Sequence, residues 1–189
     1  MATQPVTRIT EEEYLRLERA ATYKSEFING EIFAMAGGTL WHARIAVNWG
    51  AHLVYKLRGG NCNVFSSDAR VRTTASGSYV YADVSVTCGD SLITKDDDIL
   101  VDPKVVIEVL SPSTADYDRG KKFELYREIP TLQEYVLTHS DSPHIEHFAR
   151  QADSSWIFRE YKGLESSLRL ASINCEIGLA DIYERILFT

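Results

Sequence analysis

An apolar run near the middle of the chain, residues 105–110, is interrupted only by Glu108. Pro103 lies before the run and Ser-Pro-Ser at 111–113 follows it, which is the pattern of a strand buried on both faces. A carboxylate inside such a strand must be protonated, paired with a cation or bound to a metal, because burial removes its solvation. The role of Glu108 is therefore the first question that the sequence raises.

Two helices are predicted before this strand. Thr10 with Glu13 three residues later fits a capping box, so a short helix is expected to follow Thr10. A second helix is predicted over 39–57, ending near Gly59-Gly60. Its apolar residues recur at every fourth position, as on the buried side of an amphipathic helix: Ile45, Trp49, Leu53 and Leu57.

Alternating apolar and polar positions predict strands in the first half of the chain. Asn29-Gly30 between two alternating runs indicates a tight hairpin, and Glu26 lies on its first strand. Three further runs are predicted as antiparallel strands that lead to the central one: 62–67, 69–74 and 78–88. In the strand 78–88, Asp83 is expected on the same face as Tyr79 and Tyr81.

The second half of the chain predicts a helix, three strands and a closing helix. The first helix covers 116–129, with Phe123, Tyr126 and Ile129 on one face. The three strands and the last helix are expected at 132–138, 144–150, 156–162 and 179–187. The pattern as a whole predicts an α/β (mixed α+β) fold with a central, curved, mixed sheet and flanking helices.

The length and composition fit one domain over 1–189. The chain has 189 residues, of which 44% are hydrophobic and 25% charged, and no Pro/Gly/Ser-rich linker divides it. The N-terminus lacks the basic and apolar regions of a signal peptide, and no apolar stretch reaches the length of a membrane span. We expect a cytoplasmic protein without membrane association.

The charge of the chain limits its possible partners. A net charge of −7 and a pI of about 5.2 argue against a protein that coats nucleic acid through a basic surface. A local site remains compatible with this charge, because acidic residues that hold a divalent cation attract phosphate. Exposed strand edges and the many tyrosines make a homodimer a further expectation.

The cysteines suggest neither a disulfide nor a zinc site. The chain has an odd number of cysteines, and none of them are in CxxC spacing: Cys62, Cys88 and Cys175. Buried free thiols are therefore expected.

Glu108 and Asp83 are the strongest candidates for chemistry. If the Asp83 strand neighbours the Glu108 strand, both carboxylates lie on one face, where they share a proton or bind a cation. An all-oxygen site with few ligands suits Mg²⁺ or Mn²⁺. A structural interpretation is equally compatible with the spacing: Asp83 ends a strand, and Glu108 pairs with a buried Lys or Arg. Lys122 and the adjacent Lys121 are the candidate lysines, although a lysine near a helix start is usually solvated.

Other polar features are better explained by structure. His42 on the long helix is expected to be a hydrogen-bonded structural histidine. His144 and His147 fall on opposite faces of a strand. Ser111 and Ser113 fit a turn or cap, and Asp96 to Asp98 fit a solvated loop.

An ordered set of motifs resembles a known family. The motifs are "EFINGEI" (26–32), His42 in an early helix, "YADV" (81–84), "IEVLSPST" (107–114), "DRGKKFELY" (118–126) and "IPTLQEYVL" (129–137). Together they resemble the Uma2 family of restriction endonuclease-like proteins, which is abundant in cyanobacteria and belongs to the PD-(D/E)XK nuclease superfamily. The resemblance covers nearly the whole chain and implies a restriction endonuclease-like fold.

The resemblance also implies roles for individual residues. Asp83 and Glu108 would jointly hold the divalent cation, and the carbonyl of Val109 would be a further ligand. Lys122 would be the catalytic lysine and Glu26 an additional acidic residue.

Two positions depart from the superfamily pattern. Leu110 stands where the lysine usually lies, two residues after the glutamate, so the resemblance moves the lysine to the next helix. Ala82 stands where the family often has proline, which changes the stiffness of the turn and leaves the metal ligands in place.

The expected activity is that of an Mg²⁺- or Mn²⁺-dependent endonuclease that hydrolyses phosphodiester bonds of nucleic acid, with DNA as the expected substrate. The main alternative is an inactive nuclease-fold module that binds nucleic acid or protein. A third is a glycoside hydrolase that uses Glu26, Asp83 or Glu108 as paired acid and base.

Overall fold

The computed structural model describes residues 8–35, 37–73, 77–89 and 98–188. Its helical segments are α1 (Glu11–Ala20), α2 (Leu40–Lys56), α3 (Ala115–Tyr117), a π-helical turn (Asp118–Lys122), α4 (Phe123–Tyr126), a 3-10 turn (Ala171–Ile173) and α5 (Leu179–Ile182). Its strands are β1 (Ser25–Ile28), β2 (Glu31–Ala34), β3 (Cys62–Ser66), β4 (Arg70–Arg72), β5 (Tyr79–Tyr81), β6 (Val84–Cys88), β7 (Ile99–Leu100), β8 (Val105–Leu110), β9 (Glu134–His139), β10 (His144–Arg150), β11 (Trp156–Lys162), β12 (Ser167–Leu170) and β13 (Cys175–Gly178).

Both N-terminal helices begin at the residues that the sequence predicts. The Thr10 hydroxyl accepts the Glu13 N–H at 3.3 Å, and the Thr39 hydroxyl caps α2 in the same way. These bonds satisfy N–H groups that have no partner within the helix. The predicted apolar stripe of α2 is confirmed, because Ile45, Trp49 and Leu53 are fully buried in the larger core cluster.

The Asn29-Gly30 hairpin is confirmed. Strands β1 and β2 pair antiparallel with Ile28 opposite Glu31, so two residues form the turn. Asn29 has a φ of 52° and Gly30 a φ of 90°. Positive φ at both turn residues matches the right-handed twist of the flanking strands, which explains the Asn-Gly pair.

The strands form two main sheets. The five-stranded sheet has the order β2-β1-β5-β4-β7, and the six-stranded sheet has the order β11-β10-β9-β8-β6-β3. Strand β8 pairs antiparallel with β6 and parallel with β9, so the sheet at the centre is mixed, as predicted. Every residue of β8 is buried, which explains its nearly continuous apolar sequence. Strands β12 and β13 form a further hairpin, which the 3-10 turn connects and which is not predicted by the sequence.

The segment 78–88 is two strands, so the prediction of one strand is wrong. Strand β5 belongs to the five-stranded sheet and β6 to the six-stranded sheet, and the chain crosses between them at Ala82-Asp83. The Asp83 carboxylate accepts the backbone N–H of Val109 at 2.7 Å. The Asp83 side chain therefore replaces a backbone partner for β8 at the end of the β6–β8 ladder. The residues before Asp83 belong to the other sheet.

The predicted helix at 116–129 is a composite of α3, the π-helical turn and α4, and it ends at Tyr126. Its predicted apolar face is confirmed: Tyr126 and Ile129 are fully buried, and Phe123 packs against the same core cluster. The ring of Phe123 stacks on Tyr135 of β9, with centroids 4.8 Å apart. The closing helix α5 is shorter than the predicted 179–187.

Cys62 and Cys88 form a disulfide, so the prediction of free thiols is wrong for these two residues. The register of β3 and β6 places them directly opposite each other. Strands β4 and β5 lie between β3 and β6 in the chain but belong to the other sheet, so spacing along the chain does not reveal the pair. Cys175 is free and buried, as expected.

Asp98 forms ion pairs with two arginine side chains. Its carboxylate lies 3.0 Å from Arg19 and 2.6 Å from Arg70, which joins α1 to the five-stranded sheet. The prediction of a solvated loop is therefore wrong at Asp98, while Asp96 and Asp97 lie outside the described residues. In the described ranges, no helix combines the length and apolarity needed to cross a membrane.

Candidate active site

Asp83 and Glu108 lie side by side. Val84 pairs with Ile107 in the β6–β8 ladder, so the next step of the register brings Asp83 to Glu108. The backbone N–H of Asp83 donates to Oε2 of Glu108 at 3.4 Å. The condition set by the sequence is met, because the strands that lead to Asp83 and contain Glu108 are neighbours.

Lys122 completes a group that we call the carboxylate–lysine cluster: Glu26, Asp83, Glu108, Asp118 and Lys122. The Lys122 Nζ lies 2.9 Å from Glu108 Oε1, 3.6 Å from Glu26 Oε1 and 3.8 Å from Asp118 Oδ1. The side chain of Lys122 is 7% exposed. Glu108 is therefore paired with a buried lysine, as the structural interpretation of the sequence predicts.

Lys121 lies outside this cluster. Its Nζ pairs with Glu124 at 3.1 Å, and its side chain is 42% exposed. Of the two adjacent lysines, Lys122 is the one that reaches the predicted carboxylates.

The π-helical turn positions Lys122 and Asp118. Tyr135 of β9 donates its hydroxyl hydrogen to the backbone oxygen of Asp118 at 2.9 Å, which holds the inner side of the turn. Arg119 holds the outer side through an ion pair with Glu146 of β10 at 2.6 Å. Glu146 also lies 2.9 Å from Nε2 of His139. The turn is therefore fixed to the six-stranded sheet at two points.

Tyrosines orient two of the carboxylates. Tyr117 donates to Oε2 of Glu26 at 2.6 Å, and the backbone N–H of Tyr81 donates to its Oε1 at 3.3 Å. Tyr126 donates to Oε1 of Glu108 at 2.9 Å. Both carboxylates are thus held in one orientation by donors from other elements.

His42 is hydrogen-bonded, as the sequence predicts, and its partner is a residue of the site. Its Nε2 lies 3.2 Å from Oδ2 of Asp83. Gly38 leaves space for the ring, because a Cβ at Gly38 would lie 2.9 Å from Nδ1 of His42. A single histidine in the first turn of a helix gives no periodic signal, so its contact with Asp83 depends on tertiary structure.

The pKa shifts in the site follow from burial and unbalanced charge. Burial raises the pKa of Glu108 well above its usual value, and the charge of Asp83 raises it further, against the opposing effect of Lys122. Burial also raises the pKa of Asp118. Burial acts on Lys122 in the opposite sense, but the surrounding carboxylates outweigh it and raise the pKa of the ammonium.

His42 and Asp83 shift each other in opposite directions. The hydrogen bond to Asp83 raises the pKa of His42 despite its burial. Burial alone would raise the pKa of Asp83, but His42, Lys122 and the Val109 N–H together lower it. Four carboxylates thus share one lysine and one histidine, and the cluster has an excess of potential negative charge.

The cluster lines a cavity of about 530 Å³. The β1–β2 hairpin contributes apolar residues to its wall, including Phe33 and Met35. The residues that follow β8 contribute hydroxyl groups: the Oγ of Ser111 lies 3.0 Å from the hydroxyl oxygens of Ser113 and Thr114. The turn predicted for these serines is confirmed by a hydrogen bond from the Thr114 N–H to the Ser111 carbonyl.

The histidines at 144 and 147 lie outside the carboxylate–lysine cluster. His144 contacts Glu160 at 2.8 Å, whereas His147 is buried and lies 3.3 Å from Glu134. They contact different carboxylates, consistent with opposite faces of β10.

The donor set restricts which metal could bind. Among the residues that the structure describes, no group of three or more His, Cys, Asp and Glu side chains is placed to hold a metal ion. Asp83 and Glu108 form a pair. The N–H of Val109 donates to Asp83, and the carbonyl of Val109 lies on the same edge of β8 as this N–H. Two carboxylates and a carbonyl fit Mg²⁺ or Mn²⁺, because Mg²⁺ binds few protein oxygens and retains several waters.

The chain is similar to known proteins over most of its length. Residues 11–180 match the family described as "Uma2: Putative restriction endonuclease". The chain is 36% identical over 184 residues to "Uncharacterized protein slr1290" of Synechocystis sp., covering 97% of this chain and 96% of the relative. It is also 36% identical over 164 residues to "Uncharacterized protein sll1609" of the same organism, covering 86% and 93%.

A solved structure shares the fold. The crystal structure of "a putative nuclease belonging to DUF820" from Anabaena variabilis matches 95% of this chain and 99% of its own, with a TM-score of 0.77 and 17% sequence identity. The predicted restriction endonuclease-like fold is confirmed.

Proposed function

The chain belongs to the Uma2 family, and from this premise we propose that it is a metal-dependent endonuclease that hydrolyses phosphodiester bonds of nucleic acid, with DNA as its substrate. One observation carries the proposal: Asp83 and Glu108 lie together at the end of two paired strands, with the ammonium of Lys122 2.9 Å from Glu108. Paired carboxylates beside a fixed cation can bind a divalent ion and stabilise charge on a phosphate.

The metal ligands in this proposal are Asp83, Glu108 and the carbonyl of Val109. They would hold Mg²⁺ or Mn²⁺, which when bound lowers the pKa of a water molecule and offsets negative charge on a phosphoryl oxygen. The charge of the cluster supports this assignment, because the four carboxylates of the cluster share a single lysine, which lies 2.9 Å from Glu108, 3.6 Å from Glu26 and 3.8 Å from Asp118. The proposed ion would supply the missing positive charge.

Lys122 acts as a charged donor in this proposal. The carboxylates around it raise its pKa, so it stays protonated at neutral pH and is a poor general base. Its N–H groups instead orient the attacking water or donate to the phosphate oxygens, whose charge increases in the transition state.

In this proposal Glu26 positions Lys122, and His42 positions the ligand Asp83. Glu26 lies 3.6 Å from Lys122 and, as an additional acidic residue, helps to hold its ammonium in place. His42 donates to Asp83 when protonated and fixes the orientation of that carboxylate.

Cleavage of supercoiled plasmid tests the proposal. Purified protein would be incubated with Mg²⁺, Mn²⁺ or EDTA beside an Asp83→Ala variant prepared identically, which controls for contaminating nuclease. We expect cutting that needs both the metal and Asp83. Equal cutting by both proteins, or cutting in EDTA, would contradict the proposal.

The alternative is an inactive module that retains the nuclease fold. The observation in its favour is the Glu108–Lys122 ion pair, which gives the buried carboxylate a partner without a metal. Calorimetric titration with Mn²⁺ separates the two functions, since an inactive module of this kind shows no binding that depends on Asp83.

A further inference from the structure

Phe33 lies beside the proposed catalytic carboxylates. The register of the hairpin pairs Phe33 with Glu26, so the two side chains emerge on the same face of the sheet. Side chains paired in this way have Cβ atoms roughly 5 Å apart. Glu26 in turn lies 3.6 Å from Lys122. An aromatic ring is therefore placed one cross-strand step from the cluster.

The ring of Phe33 is open to the cavity. Phe33 is 47% exposed and the nearby Met35 is 36% exposed, and both line the cavity that contains the cluster. Their exposed surface favours an apolar ligand, because burial of apolar surface is the dominant driving force for association. A nucleobase is the flat, apolar surface that a nucleic acid can bring to such a ring.

Stacking on Phe33 requires an unpaired base. In a duplex, neighbouring base pairs cover both faces of each base, so an enzyme reaches a base only in a single strand or after extruding it. The cavity volume of about 530 Å³ lies within the range typical of small-molecule sites, which accommodates a single nucleotide.

The charge of the cavity wall also disfavours a duplex. Among the described residues that line the cavity, the basic side chains are Lys121, Lys122 and His42. Lys122 is almost fully buried, and Lys121 pairs with Glu124. Proteins that bind duplex DNA neutralise many phosphates with basic residues, whereas this chain has a net charge of −7.

We propose that Phe33 stacks on an unpaired base next to the phosphate to be cleaved, and that the substrate is single-stranded or locally unpaired nucleic acid. This inference rests on the proposed nuclease function. Phe33 is thus a residue that determines substrate class, while the carboxylate–lysine cluster performs the hydrolysis.

Binding in a non-cleaving background tests the inference. The protein carries Lys122→Ala, which is expected to abolish turnover and to leave the proposed metal ligands in place. The probes are a fluorescein-labelled 12-nucleotide DNA strand and the same sequence as a blunt duplex. Fluorescence anisotropy in Mg²⁺ should show tighter binding of the single strand. Adding Phe33→Ala should weaken single-strand binding about five- to 150-fold, the range for loss of one stacked base, and leave duplex binding unchanged.

Ile32→Ala is the matched control. Ile32 is 42% exposed on the same strand, and its side chain points to the opposite face. This substitution should change neither affinity. Equal binding of duplex and single strand, an equal effect of Phe33→Ala on both, or no binding of either would overturn the inference.

Cleavage by the wild-type protein separates this inference from the proposed function. Single-strand binding that depends on Phe33, without metal-dependent cleavage of either probe, would leave the base-stacking site standing and reject the nuclease function. Metal-dependent cleavage of duplex that is insensitive to Phe33→Ala would support the nuclease function and reject the stacking site.

Discussion

The ammonium of Lys122 lies 2.9 Å from Oε1 of Glu108, and both side chains are buried. Replacing Lys122 with Ala should retain Mn²⁺ binding, because the carboxylates remain, and should abolish turnover, because the donor to the phosphate is lost. Titration calorimetry and plasmid cleavage measure the two effects. Circular dichroism verifies that the variant is folded.

Lys121→Ala is the control for this experiment. Lys121 is exposed and pairs with Glu124 outside the cluster, so its loss should leave cleavage within about twofold of wild type. An active Lys122→Ala variant together with an inactive Lys121→Ala variant would reverse the assignment of the lysine.

Glu108→Gln should abolish divalent-cation binding and leave the thermal midpoint unchanged or higher. The reason is that Glu108 is buried among other carboxylates, which raises its pKa, and an amide removes that repulsion. The amide oxygen can still accept from Tyr126. Mn²⁺ titration and a thermal melt test the two parts, and unchanged Mn²⁺ affinity would remove Glu108 from the proposed ligands.

Glu146→Gln should destabilise the protein in a pH-dependent way. Burial acts to raise the pKa of Glu146, but Arg119 and His139 outweigh it and lower the pKa. The carboxylate therefore contributes stability that is complete above the unfolded pKa of roughly 4.3 and is lost as the pH falls through the folded pKa.

The expected loss is about 1 kcal/mol at pH 7, since Arg119 is partly exposed and the pair is screened. Urea unfolding of both proteins at several pH values between 3 and 7 measures it. The difference should shrink toward pH 3, and a difference that is constant with pH would contradict the role of the ion pair.

Cys88→Ser should lower the free energy of unfolding by about 3 kcal/mol under non-reducing conditions. The disulfide joins Cys62 to Cys88 across 26 residues, and a cross-link over such a loop reduces the entropy of the unfolded chain. Adding dithiothreitol should destabilise the wild type by a similar amount and leave Cys88→Ser unaffected. A wild-type protein insensitive to the reductant would show that the bond contributes nothing.

Asn29→Val should destabilise the hairpin by about 1–2 kcal/mol, because a β-branched residue is unfavourable at positive φ. Asn29→Gly, which tolerates the same φ, is the control and should cost much less. Thermal melting compares the two variants. Equal stability of Asn29→Val and wild type would mean that the turn does not depend on this residue.

Local patterns predict much of this fold because they act over short distances. Period-four apolar positions define α2, the Asn-Gly pair defines the hairpin, and the apolar run defines β8. The sequence also places Asp83 beside Glu108 on the condition that their strands are neighbours, and the structure meets this condition.

The remaining features depend on contacts that have no local signal. Alternation continues smoothly through Ala82-Asp83, so it does not reveal that the chain changes sheets there. The Cys62–Cys88 disulfide and the contact of His42 with Asp83 both join residues that meet only after the sheets have formed. The pairing of Arg119 with Glu146 is hidden for the same reason.

The crossing of the chain at Ala82-Asp83 has a consequence for the timing of activity. Glu26 belongs to the five-stranded sheet, whereas Glu108 belongs to the six-stranded sheet, and Lys122 contacts both. A nascent chain that has completed only one sheet therefore has no assembled cluster. For a protein synthesised among the nucleic acids of its own cell, completion of folding would itself be the step that switches the proposed activity on.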